Sequence, residues 1–115
     1  YKNDALRTAY KAVEAESARA MAGLLPPEIS AETELYLTGA VLSDSERKLL
    51  KAADRLSALI KCIEECQSGN REFEAARRQQ EAALHEMQCP EAEYFMEHML
   101  PCYTQNLDEL TRGRF

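Results

Sequence analysis

Long apolar runs are missing from this sequence. Nothing in it approaches the ~20 consecutive apolar residues that span a bilayer, and it does not open on the charged-then-apolar pattern of a secretory signal, so a cytoplasmic chain with no membrane partner is expected. Positive charge is not in excess either. Twenty Asp and Glu against fourteen Lys and Arg leave a net charge of −6, which repels a phosphate backbone and argues against nucleic acid as a partner. With four glycines and four prolines, and apolar residues recurring at three and four rather than at two, no strand pattern emerges. The four cysteines, Cys62, Cys66, Cys89 and Cys102, lack the paired two-residue spacing of a zinc site. No glycine-rich phosphate loop, nucleophile elbow or zinc-protease motif occurs. The initiator methionine is absent too, and Tyr1 as first residue leads us to expect a fragment, a processed form or the ordered part of something longer.

What is present is enough for one modest core. A chain of 115 residues, 45% of them hydrophobic, buries roughly two thirds of its unfolded surface. The expected fold is all-α, about five helices forming a single helical unit over residues 1–115. A first helix starts at Asn3 or Asp4, buries Leu6, Tyr10, Val13 and Met21, and stops near Gly23. Pro26 and Pro27 suit the entry of a second, which carries Ile29, Leu35, Tyr36 and Leu37 and fades near Gly39. Ser43-Asp44-Ser45-Glu46 reads as a capping box for a third helix that runs to about Ser68, with Leu49, Ala53, Leu56, Ile60 and Ile63 on one stripe and Gly69-Asn70 at its end. Asn70 is placed to cap a fourth, residues 71–87, which buries Phe73, Ala76, Ala83, Leu84 and Met87 and breaks at Cys89-Pro90. A last segment holds Phe95, Met99, Tyr103, Leu107 and Leu110 in phase through Pro101 and reads as one kinked helix.

Candidate chemistry is sparse. His85 and His98 are thirteen residues apart, neither with a second ligand at four-residue spacing, and read as surface or partly buried polar residues. Cys62 and Cys66 share a helix face, so a thiol-metal pair is geometrically possible, against the plainer reading of free thiols packed as small hydrophobes. The charges from Glu72 to Glu81 suit a solvated helix face, and Tyr94, Phe95, Met96, Met99 and Tyr103 suit core or dimer contacts. Asp54 is the residue periodicity leaves open. It falls away from the apolar stripe, beside Leu50, Ala58 and Lys61, where it is solvated unless its helix has neighbours on two sides.

A resemblance narrows the choice. The run Ser43-Asp44-Ser45-Glu46-Arg47-Lys48-Leu49-Leu50-Lys51-Ala52-Ala53-Asp54-Arg55-Leu56, followed by Ala58, Lys61-Cys62-Ile63-Glu64-Glu65 and Gly69-Asn70-Arg71-Glu72-Phe73, resembles the C-terminal half of the bacterial HD-domain 5'-deoxynucleotidases. The opening Lys2-Asn3-Asp4 with Tyr10-Lys11-Ala12-Val13-Glu14 is similar to the helix after that family's active-site loop. Glu93-Tyr94-Phe95-Met96-Glu97, Leu100-Pro101 and Leu107-Asp108-Glu109 are similar to its last helix. The resemblance implies a metal-dependent phosphohydrolase, usually a homodimer, that takes phosphate from (deoxy)nucleoside 5'-monophosphates. Its divalent metal, of the Mn, Co, Mg or Zn type, is held by a histidine, a His-Asp doublet and a final aspartate. Asp54 matches that last position, and its three partners are expected in sequence before Tyr1, so these residues alone are expected to be inactive. Such an ion lowers the pKa of water and offsets phosphoryl charge. Many relatives carry acidic residues before the loop leading to the metal helix, whereas this chain has Tyr36-Leu37-Thr38-Gly39-Ala40. The alternative is a non-catalytic all-α interaction or dimerisation module derived from the same family.

Overall fold

The computed structural model describes residues 3–112, the side chain of Leu107 excepted; Lys2 and the expected burial of Leu107 therefore lie outside what is described. The described residues are helical throughout, with no strand: α1 (Asp4–Gly23), α2 (Pro27–Leu37), α3 (Asp44–Gln67), α4 (Phe73–Glu86), α5 (Pro90–His98), a 3₁₀ turn (Leu100–Thr104) and α6 (Leu107–Arg112). The chain is all-α, as its periodicity predicts. Its contacts divide it into two compact units, Tyr1–Asp44 and Ser45–Phe115.

In the first unit α1 packs on α2. Asn3 caps α1 as expected, its side-chain oxygen accepting from the amides of Ala5 and Leu6. Ser30 ties the helices together by donating its hydroxyl to the Ala22 carbonyl at 2.8 Å, and Arg19 lies 3.7 Å from Glu34. Burial departs from expectation. Among the described residues of this unit only Ala22 is fully enclosed, while Leu6, Tyr10, Val13 and Met21 are 48–59% exposed and Ile29, Leu35, Tyr36 and Leu37 are exposed as well. Two helices offer each other one face apiece, and a small residue at the crossing lets them approach, so the large side chains of both stripes are left outside. Thr38, Gly39 and Ala40 close α2: Gly39 takes φ +73°, its amide donates to Tyr36 and that of Ala40 to Leu35. This is the paired hydrogen-bond pattern of a helix that ends on a left-handed glycine.

The second unit holds the core. Ala52, Leu56, Leu59 and Ile63, spaced four, three and four along α3, meet Leu84 of α4, Cys89 and Ala92 at the start of α5, and Leu100; Ile60, Met87, Phe95 and Met96 pack against them. The buried arc is thus turned from the expected stripe. Leu56 and Ile63 are inside and Ile60 is half-buried, but Leu49 and Ala53 are exposed. Leu59 is the centre of the arc, and Leu49 instead lines an open cleft with Cys89 and Pro90. At the other end of α3, Gly69 (φ +91°) donates to Cys66 and Asn70 to Glu65, repeating the stop seen after α2.

Two further expectations need correction. Asn70 does not cap α4 with its side chain: α4 begins at Phe73 with no side-chain cap, and the Asn70 amide group donates back to Glu65 at 3.3 Å. The last segment is not one kinked helix. Met99 ends α5, Pro101 sits in the first turn of the 3₁₀ segment, and Gln105 is extended. Asn106 and Glu109 then start α6 with reciprocal bonds of 2.9 Å, Glu109 accepting from the Asn106 amide and Asn106 Oδ1 from the Glu109 amide. That capping box overrides the continuity of the apolar stripe.

Candidate functional site

Asp54 sits mid-way along α3, exposed, its side chain making no hydrogen bond or ion pair to any described residue. One turn before it Leu50 is 60% exposed, and one turn after it Ala58 is half-buried. The face that periodicity left open is therefore the uncovered face of α3, with the core on the far side of the helix. The solvated placement holds in this structure.

Further along that face the side chains are fixed. Lys61 donates to Glu65 Oε1 at 2.7 Å while Asn70 holds Oε2. The Lys61 hydrogen bond, then Asn70 and the Lys61 charge, hold the Glu65 carboxyl below its ordinary value, and the same bond raises Lys61. Sequence reading paired neither residue with the other, although Lys61 and Glu65 stand four apart, the ordinary spacing of a helical ion pair.

The other candidates are committed elsewhere. His85, in the last turn of α4, lies 2.8 and 3.0 Å by Nδ1 from the two carboxylate oxygens of Glu93 in the first turn of α5, pinning the corner between those helices. His98 stacks on Tyr94 with ring centroids 4.3 Å apart and lies 3.7 Å from Glu97. Cys62 is buried, Cys66 half-buried, and both are free. Cys89, N-cap of α5, directs its thiol to Glu91 at 3.3 Å; the backbone amide of Glu91, then this thiol and the charge of Lys48, depress the Glu91 carboxyl. Phe95 and Met96 pack against the core of the second unit, whereas Tyr94, Met99 and Tyr103, read with them as core or dimer contacts, are exposed; Phe95 and Tyr103 lie 6.5 Å apart.

Among the described residues no three His, Cys, Asp or Glu side chains are grouped to hold a metal ion. A pair at Cys62 and Cys66 finds no third ligand, and Asp54 stands by itself. One exposed carboxylate leaves an ion loosely held and without orientation, so the described residues do not fit a complete metal centre. The stretch 36–40 is the glycine stop of α2. Thr38 spends its hydroxyl on the Glu34 carbonyl at 2.8 Å. No helix among the described residues is long and apolar enough to cross a membrane.

Comparison with known proteins bears on the whole chain. The chain is 32% identical over 111 residues to a 5'-deoxynucleotidase of Vibrio atlanticus, covering 96% of this chain and 57% of that protein. It is 33% identical over 112 residues to one of Shewanella oneidensis, covering 97% and 57%. A 5'-deoxynucleotidase of Yersinia pestis is 34% identical over 111 residues, 96% and 56% of the two chains. The chain thus spans somewhat over half the length of these relatives. The model of the YfbR-like 5'-deoxynucleotidases matches residues 1–103, and the chain belongs to that family.

Proposed function

We propose that these residues form the C-terminal helical portion of an HD-domain, metal-dependent phosphohydrolase that releases phosphate from (deoxy)nucleoside 5'-monophosphates, with Asp54 supplying the last ligand to a divalent ion of the Mn, Co, Mg or Zn type. The observation that carries the reading is Asp54 itself: a carboxylate on the uncovered face of a 24-residue helix, free of any protein partner, at the position where the family resemblance places a ligand. Family membership supports the substrate class, because the relatives named above are 5'-deoxynucleotidases. The remaining ligands, a histidine and a His-Asp doublet, belong to parts of the whole protein outside these 115 residues, and the 115 residues by themselves are inactive. The whole protein works in the cytoplasm.

The test is Asp54→Ala in the full-length protein. Metal-dependent phosphate release from a deoxynucleoside 5'-monophosphate is expected to fall to background, with helix content by circular dichroism unchanged because the Asp54 side chain is exposed and makes no intrachain bond. Retained activity overturns the assignment.

A second reading is association. Leu6, Tyr10, Val13 and Met21 of α1 and Leu35, Tyr36 and Leu37 of α2 leave large apolar side chains open in the first unit, and such surface favours a partner. We assign it to homodimer formation, the non-catalytic role that this portion plays whether or not the metal site is complete.

A further inference from the structure

The first unit lacks what a fold of its size needs to stand by itself. The covered side of α1 is made of alanines, Ala15 and Ala18 half-buried and Ala22 enclosed, at spacings of three and four. Across the helix lie Leu6, Tyr10, Val13, Ser17, Ala20 and the C-cap Leu24, spaced four, three, four, three and four, and all six are exposed. α2 has 11 residues and no side-chain cap, a length at which a helix is marginal in water. Units near or below about 40 residues that enclose so little hold together through disulfides, metals or oligomerisation. Residues 1–44 contain no cysteine for a bridge, and their described residues group no ligands for a metal, which leaves association. The second unit has its own core in Leu59, Ile63 and Leu84.

The spacing of the open stripe is that of a seam between two helices. Laid antiparallel on a second copy of α1, it sets Tyr10 against Ala20 and Val13 against Ser17, large on small. A parallel pair would instead stack Tyr10 on its own counterpart and leave Ser17 and Ala20 facing themselves. Glu14 and Glu16 flank the middle of the stripe and meet their counterparts there, so the antiparallel pair tightens as salt screens them. The entropy of ordering two helices that enclose one alanine between them is then offset by contacts that exist only in the pair.

We propose that pairing of two copies and ordering of α1 and α2 are one step in the 115-residue chain, the second unit being folded before and after it; the proposal rests on the association reading given above. Amide hydrogen exchange tests it, with sedimentation run at the same concentrations. At dilutions where the chain sediments as a monomer, amides of α1 and α2 are expected to exchange more than about tenfold faster than in the dimer, while those of α3 and α4 keep their rates. Val13→Glu, a charge in the stripe, is expected to be monomeric at every concentration, with fast exchange in α1 and α2 and slow exchange in α3 and α4. Ala12→Glu, exposed and off both faces of α1, behaves as wild type. A dimer that dilutes to a monomer with α1 and α2 still protected overturns this inference and leaves association standing. Slow exchange of α1 and α2 in Val13→Glu also overturns it, as does a Val13→Glu chain that still dimerises, which places the seam elsewhere. A wild-type chain monomeric at every concentration overturns the association reading, and this inference falls with it.

Discussion

At the scale of single residues, exposure separates those that hold the fold from those free to act. Leu59, Ile63 and Leu84 are sealed in the core of the second unit, whereas the Asp54 side chain projects from the opposite side of α3 with no intrachain partner. Between these extremes lies Glu65, bonded to Lys61 and to Asn70. Its carboxyl is held below the usual range, so the stability it contributes is full above the unfolded-state value of about 4.3 and is lost as pH falls through the lower folded value. Lys61, raised by the same contact, keeps its share below about pH 10.4 and loses it as pH rises through its folded value. Glu65→Gln is therefore expected to be less stable than wild type at pH 7, the difference closing below about pH 4; urea titrations of both proteins at pH 7 and pH 3 check it. A gap of equal size at both values removes the ion pair as the cause.

At the scale of the elements, helix ends decide where the chain turns. Gly39 and Gly69 adopt φ of +73° and +91° and close α2 and α3 with the same pair of backbone bonds. An alanine at residue 69 meets open space, so only the backbone conformation opposes it. Gly69→Ala is expected to cost about 1–2 kcal/mol, read as a lower urea midpoint with an unchanged slope. No loss would mean that the turn relaxes without penalty. Both stops, the Asn3 cap and the proline entry of α2 were legible in the sequence because each depends on one residue type with a local physical reason. The end of the chain was not read correctly. An apolar stripe in phase through Pro101 spoke for one helix, while the Asn106–Glu109 box, equally visible, gave the backbone a new start. The arc of α3 was misplaced for another reason. Leu49 and Leu59 are alike in hydrophobicity, and only the position of α4 and α5 decides that Leu59 is enclosed and Leu49 is not.

At the scale of the whole molecule, the two units differ in what they bury. The second has a core drawn from α3, α4, α5 and the 3₁₀ turn; the first encloses Ala22 and leaves its larger apolar side chains outside. A chain with that surface is expected to associate. Sedimentation of the 115-residue chain should give a mass well above 13.0 kDa, and a well-behaved monomer at 13.0 kDa would argue against the homodimer. The candidate site has the same incompleteness. Asp54 is a candidate through resemblance, not through periodicity, because a carboxylate on a solvated helix face has no distinguishing pattern until its partners are known. The metal content of the full-length protein, wild type beside Asp54→Ala, tests the central claim most directly: bound divalent metal in the wild type with most of it lost in the variant is the predicted result, and equal metal in both would contradict it.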